Sequence, residues 1–203
     1  MPKLWNETIE AHRRTVRETT LDVTAALVAE HGPVSVTMSQ IAGAAGIGRA
    51  TLYKYFPDVE SVLAGWYERE TAAQLARLSA VGQQERARQA APGRRLGAVL
   101  LAYATLVREQ PPGLGMGLGL GLDMGALPGG GGQVGPARGQ LLAFLAELLA
   151  EAADDGAVRD DVEPGELAGY CLHALGAATG LPSAAAVERL VAVTLAGLRP
   201  AAD

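Results

Sequence analysis

Apolar side chains recur with a helical period along most of this chain. In residues 137–153, Leu141, Leu142, Phe144, Leu145, Leu148 and Leu149 follow i, i+1, i+3, i+4, i+7, i+8. That spacing predicts one helix with a broad apolar stripe. A second stripe, over 183–198, carries Val187, Leu190, Val191, Val193, Thr194, Leu195 and Leu198, and Pro200 closes it. Leu96, Val99, Leu100, Tyr103 and Leu106–Val107 predict a helix from Pro92 to Glu109, and Val62, Leu63, Trp66, Leu75 and Leu78 another over 58–80. The first helix is expected from Asn6 to His31, stopped by Gly32-Pro33. Pro164 suits the first turn of a helix over 165–178. Gly82–Ala91 is polar and reads as a linker. The fold class predicted is all-α.

The stretch from Thr37 to Leu63 has a different texture, with short elements and dense punctuation. Thr37 and Gln40 have the spacing of a capping box, in which each side chain satisfies the other residue's backbone N–H. Ile41, Ala42 and Ala45 continue at helical spacing, and Gly46 stands where a tight turn needs positive φ. Arg49–Tyr55 predicts a second short helix with Leu52 and Phe56 turned inward; Pro57 ends it and Asp58 caps its successor. Two short helices set at a wide angle by a glycine turn make a helix-turn-helix unit, whose second helix enters the DNA major groove.

These residues carry a resemblance. Thr37, Ile41-Ala42, Ala45-Gly46, Thr51-Leu52-Tyr53, Tyr55, Phe56 and Pro57 stand in the register of the DNA-binding segment of the TetR family of bacterial transcriptional regulators. The close match covers about an eighth of the chain. A weaker likeness to the family's C-terminal part lies in GxVRxDV before the helix at 165 and in GLRP at the end of the last helix. The resemblance implies an N-terminal three-helix DNA-binding head, residues 1–57, and a helical ligand-binding and dimerisation body, residues 58–203. It also implies a first helix that braces the duplex backbone. Val59 departs from the pattern, because family members carry a lysine there that touches phosphate.

Charge adjusts this picture more than it supports it. The net charge is −5, which argues against a protein that coats nucleic acid or anionic membrane with its whole surface. Residues 1–63 hold six Lys/Arg against seven Asp/Glu, but Val36–Pro57 holds Arg49 and Lys54 and no acid. A DNA-binding face must therefore be local. In the first helix, Arg13, Arg14 and Arg17 suit either a solvated face paired with Glu10 and Glu18 or phosphate contact. Cys171 is the only cysteine, so no intrachain disulfide can form. The polar start lacks a signal-peptide core, and the uncharged run 167–187 is interrupted near Gly180 and Pro182. A cytoplasmic protein with no membrane partner is expected.

Residues 111–136 form a glycine-rich loop, with eleven glycines between 113 and 135. Glycine at alternate positions gives a strand nothing to pack, so GLGMGLGLGL is read as a loop. It is either a flexible segment or a mobile lid over a cavity, with Met116 among its adaptable contacts. No GxxxxGK[ST], HExxH, GxSxG or paired-cysteine motif occurs. No catalytic residue, metal ligand or cofactor is predicted.

The candidate DNA-binding residues are Thr37, Gly48, Arg49, Ala50, Thr51, Tyr53, Lys54 and Tyr55. Arg49 can donate two hydrogen bonds to a guanine edge, while Thr51, Tyr53, Lys54 and Tyr55 suit phosphate or backbone contact. Candidate ligand contacts are Trp66, Tyr103, Met116, Tyr170 and His173; the bland alternative for His173 is a packed core histidine. The stripes at 137–153 and 183–198 offer a dimer surface through Leu141, Phe144, Leu145, Leu148, Leu190, Val191, Thr194 and Leu198. Their alternative is burial inside one chain. The function expected is a homodimeric regulator, a repressor, that binds a palindromic operator in double-stranded DNA and is released by a small, mostly apolar effector. The competing class is a small helical ligand carrier or enzyme whose head does not read DNA.

Overall fold

The computed structural model describes residues 2–32, 35–109 and 135–200, with side chains from residue 9 onward. The described residues contain eight helices and no strand: α1 (Pro2–His31), α2 (Met38–Ala44), α3 (Arg49–Leu52), α4 (Val59–Ala87), α5 (Pro92–Glu109), α6 (Pro136–Asp154), α7 (Pro164–Gly176) and α8 (Ala184–Gly197). The all-α expectation holds. Contacts divide the chain into two compact units, Met1–Tyr67 and Glu68–Asp203, so the division falls within α4. Met116 and nearly all of the glycine-rich stretch lie outside the described residues.

In the first unit, α1 buries Leu21 and Val28 with Thr20 and Thr24. The two threonines bond back to the carbonyls of Val16 and Thr20 (2.8 and 2.7 Å), so their hydroxyls are satisfied inside an apolar contact. Met38, Ile41 and Ala42 of α2, Leu52 of α3, Phe56, and Val62 and Leu63 of α4 complete this small core.

The second unit is larger. Its core gathers Leu78 from α4; Leu96, Leu100 and Tyr103 from α5; Leu141, Leu145 and Leu149 from α6; Cys171, Leu172 and Leu175 from α7; and Val187, Val191 and Leu198 around α8. Helix α5 touches α6, α7 and α8, while α7 packs on both α6 and α8. Fully burying one leucine side chain contributes about 1.5–3 kcal/mol, so the apolar stripes hold this unit together.

Three features differ from the sequence reading. First, Gly82–Ala87 is helix rather than linker, because α4 runs on to Ala87. Gln, Glu, Arg and Ala favour helix when exposed, and Gly82 lets the Phe144 ring close to ordinary contact, with a Cβ there meeting its Cζ at 3.5 Å. Glu85, buried despite its charge, accepts from Arg88 at 2.6 Å. Helix α4 then ends on Gln89, whose φ of +57° is uncommon for a side-chain-bearing residue.

Second, Pro136 belongs to α6, at its first turn, rather than to the loop before it. Gly135 caps α6 without a side chain. The cap comes instead from α4, where the Glu68 carboxylate accepts from Ala137 N at 2.9 Å. A Cβ on Gly135 would collide with that carboxylate.

Third, six of the eight residues expected at a dimer surface are buried inside one chain: Leu141, Leu145, Leu148, Val191, Thr194 and Leu198. Phe144 and Leu190 are half-buried and pack on the same core. The physical reason is that a broad helical stripe satisfies itself against whichever apolar face lies nearest, and α5 and α7 supply that face. These six side chains are not available to a second copy.

Candidate nucleic-acid interface

The candidate surface is built on α2 and α3 of the first unit. Thr37 adopts extended geometry ahead of α2. Its Oγ1 accepts from Gln40 N at 3.3 Å, and the Gln40 Oε1 accepts from Thr37 N at 2.9 Å, so the capping box forms as expected. After α2 the chain turns at Gly46, whose φ of +66° is the left-handed conformation that a side chain would strain. Gly48 precedes α3 and accepts from Thr51 N and Leu52 N. The expected second helix, Arg49–Tyr55, is α-helical only over Arg49–Leu52. Turn bonds continue it, from Tyr55 N and Phe56 N to the Leu52 carbonyl. Asp58 Oδ1 then accepts from Ser61 N at 2.7 Å and opens α4.

This scaffold sorts the α3 side chains by face. Leu52 and Phe56 are buried, at 0% and 2% exposure, and fix the underside. Thr37, Gly48, Arg49, Ala50, Thr51, Tyr53 and Lys54 are exposed, with Tyr53 at 52%, and Tyr55 is half-buried. All eight candidate residues are thus brought to one small region, and seven of them are open to solvent. The exposed set offers a guanidinium, an ammonium, a hydroxyl and a phenol, which are the groups that contact phosphates and base edges.

The first-helix arginines divide by role. Arg13 pairs with Glu10 at 3.2 Å on the surface. Arg17 lies over the Phe56 ring, 5.0 Å from its centroid, and its Nη2 comes within 3.4 Å of where a Cβ on Gly65 would sit. A cation over an aromatic face is attracted to the ring quadrupole, so Arg17 binds α1 to the end of the α3 turn and to α4.

Within the second unit, the candidate ligand contacts divide between core and surface. Tyr103 is fully buried in the core of the second unit, its hydroxyl 3.5 Å from the Leu172 carbonyl. Tyr170 and His173 are exposed on α7, and the His173 Nδ1 lies 2.7 Å from the Gly169 carbonyl. The α7 sequence is apolar nearly throughout, so its pattern alone did not show which side is covered. Trp66 belongs to the first unit and is half-buried. Sequence reasoning missed two polar side chains of the second unit, Gln74 on α4 and Arg108 on α5. Gln74 Oε1, Arg108 Nε and Trp66 Nε1 are each buried with no hydrogen-bond partner. Such atoms cost about 1–3 kcal/mol when left unpaired, which marks them as candidates for an outside partner. Among the described residues no group of three or more His, Cys, Asp or Glu can hold a metal ion, and no helix is long and apolar enough to cross a membrane.

Known proteins resemble this chain in both units. The family description "Bacterial regulatory proteins, tetR family" matches residues 21–64, and "Transcriptional regulator SbtR-like, C-terminal domain" matches residues 129–200. An HTH-type transcriptional regulator of Mycobacterium tuberculosis, Rv1255c, is 43% identical over 51 residues, and the match spans about a quarter of the length of either chain. Among solved structures, the fatty acid degradation regulator FadR from Bacillus halodurans aligns with a TM-score of 0.68 at 20% identity, over 90% of this chain and 96% of its own. FadR from Bacillus subtilis, solved in complex with stearoyl-CoA, aligns with a TM-score of 0.67 at 15% identity, over 90% of this chain and 99% of its own. Likeness at these identities establishes the fold. The two family matches, one over the capped helix-turn-helix and one over the C-terminal helices, go further: the chain belongs to the TetR family of bacterial regulatory proteins.

Proposed function

We propose that this protein is a transcriptional repressor that binds a palindromic operator as a homodimer and leaves it when a small molecule binds the second unit. The observation that carries the DNA-reading part is the sorting of α3: Leu52 and Phe56 anchor it from below, while Arg49, Thr51, Tyr53 and Lys54 are exposed together. Arg49 is the base reader, and Tyr53 and Lys54 hold the backbone. A four-residue helix with its turn spans few base pairs, so specificity comes from two copies on half-sites about 34–36 Å apart or a multiple of that.

The homodimer is assigned to the outward side of α7 and α8 in place of the buried stripes. Tyr170 (45% exposed) and Val193 (68% exposed) are large apolar groups open to solvent there. Tyr170 also lies against Gly197, whose Cβ would meet its hydroxyl at 2.9 Å, so the two helices present one continuous face. The effector reading draws on the buried, unpartnered Gln74 Oε1 and Arg108 Nε, which suit a mostly apolar molecule with a polar group able to donate and to accept. The stearoyl-CoA bound to the Bacillus subtilis relative is an acyl chain with a polar head, in keeping with that chemistry. The effector acts by preferring the conformation that mismatches the operator; differential affinity, not tightness, releases the DNA.

A gel-shift titration with the DNA upstream of the protein's own gene tests the central claim. A sequence-specific shift that weakens steeply with salt is expected. Arg49→Ala should cost about 1–3 kcal/mol and relax base preference, whereas Tyr53→Ala should weaken most sequences alike. Absence of a specific shift on that DNA and on a randomised duplex pool would favour a ligand carrier or enzyme instead. Light scattering at micromolar concentration should give dimer mass, and Val193→Arg should give monomer.

A further inference from the structure

Arg49 does not stand alone on the exposed face of the head. Its Nη1 donates a 2.8 Å hydrogen bond to the Oγ of Ser39, ten residues earlier on α2. Both side chains are exposed. We propose that Ser39 is a positioning residue for base readout: its hydroxyl holds the Arg49 guanidinium in the orientation that meets a guanine, and so contributes to sequence specificity without reading a base itself. This rests on the DNA-reading role proposed above.

The chemistry favours such a division of labour. A guanidinium has five N–H donors in a rigid planar fork. Spending one Nη1 hydrogen on Ser39 leaves the Nε–Nη2 edge whole, and that edge matches the paired O6 and N7 acceptors of guanine in the major groove. An unrestrained arginine samples many rotamers and loses them on docking; one already held loses fewer. The holder is itself well placed. Ser39 lies in the first turn of α2, whose start is locked by the reciprocal Thr37–Gln40 bonds and whose underside is fixed by buried Met38, Ile41 and Ala42. The Gly46 turn sets α3 against that platform. The Ser39 oxygen accepts from Arg49, so its own proton is directed elsewhere, and phosphate contact through that proton is the rival role for this residue.

The two roles separate experimentally. The full chain and its Ser39→Ala, Ser39→Thr, Arg49→Ala and doubly substituted variants are each used to select from a pool of randomised duplexes. Binding to the selected site and to single-base variants is then titrated at several salt concentrations. Positioning predicts that Ser39→Ala lowers the preference for guanine at the base governed by Arg49 by about three- to ten-fold, a fraction of what a bidentate pair discriminates. Ser39→Thr, which keeps the hydroxyl, should restore most of it. The double variant should be no less selective than Arg49→Ala, because the two side chains act as one unit. The dependence of affinity on salt should not change. Unaltered base preference in Ser39→Ala would overturn the proposal. So would a uniform weakening across all sequences with a salt slope smaller by about one, which is the signature of a lost phosphate contact. Circular dichroism checks that the variants are folded; Ser39 is exposed and Thr37, not Ser39, caps the helix. A wild-type chain that selects no sequence from the pool defeats the DNA-reading role itself, an outcome distinct from a selective wild type matched by an equally selective Ser39→Ala.

Discussion

The head and the body of this protein are held by different kinds of force. In the head, residues three to ten apart make directional polar contacts: Thr37 with Gln40, Asp58 with Ser61, Arg49 with Ser39. Its apolar core is small, and helices as short as α2 and α3 are marginal in water by propensity alone, so these bonds act beside the burial of Met38, Ile41, Ala42 and Leu52. In the body, side chains from five helices converge on one continuous core, and most of its members come from segments far apart in sequence. A surface that must present particular side chains at fixed positions benefits from local, geometrically exact bonds. A unit that joins five helices from distant parts of the chain relies on area.

The largest way to break this contrast is in the body. Leu145→Ala removes a fully buried side chain and should cost about 2–5 kcal/mol in denaturant unfolding. Cys171 reports the same opening, because burial pushes its thiol up to about 12 and keeps it protonated and inert. A thiol reagent at mildly alkaline pH should modify the native chain slowly and Leu145→Ala faster. Its thiol pKa is raised on folding, so the stability it contributes is complete below the unfolded value of 9.0 and is lost as pH rises toward 12.

A smaller effect is expected in the head. Thr37→Ala deletes the capping box and should cost about 1 kcal/mol, seen as earlier thermal loss of helical signal. Cys171 reactivity should stay as in the unmodified chain if the head is destabilised by itself. Equal acceleration in Thr37→Ala and Leu145→Ala would show that the two units unfold together, and the contrast would fail.

Gln89→Gly sharpens the comparison from the other side. It relieves a left-handed residue at the end of α4 and should stabilise the chain by a few tenths to about 1 kcal/mol in chemical denaturation. The smallest effect belongs to Asp161, which Arg159 grips through two 2.6 Å bonds on the surface. The side-chain bonds from Arg159 hold its carboxyl below the usual range. Its contribution is therefore present above the unfolded carboxylate pKa and fades as pH falls through the depressed folded value. An NMR titration should find this carboxyl acidic, and Arg159→Ala should return it toward the ordinary value.

Helix existence is legible nearly everywhere, because the 3.6-residue apolar period survives in α5, α6 and α8. The local frame of α2 and α3 is legible too, since Thr37, Gly46 and Asp58 are punctuation whose meaning depends on neighbours within a few residues. The far end of α4 is not legible from polarity, because Gln83–Arg88 has the composition of a linker although the same residues are good helix formers on an exposed face. The covered side of α7 and the buried polar atoms are poorly legible: Tyr170 and His173 turn outward, and in the sequence Gln74 and Arg108 look like ordinary surface polar residues.

The amino-acid sequence by itself determined the local order of this protein: which segments are helical, where the head turns, and which α3 side chains lie above and below. Those outcomes follow from bonds and sterics within one or two turns. Only the tertiary structure decided which neighbour each apolar stripe meets. Leu141, Leu145 and Val191 are equally suited to a second copy or to α5 and α7, and the chain's own helices cover them. It also decided that the cap of α6 is Glu68, 69 residues away, and that Arg17 rests on Phe56 rather than standing apart. Hydrophobic burial is non-directional, and a charged side chain takes the nearest partner that folding supplies; neither choice is written in the spacing of residues along the chain.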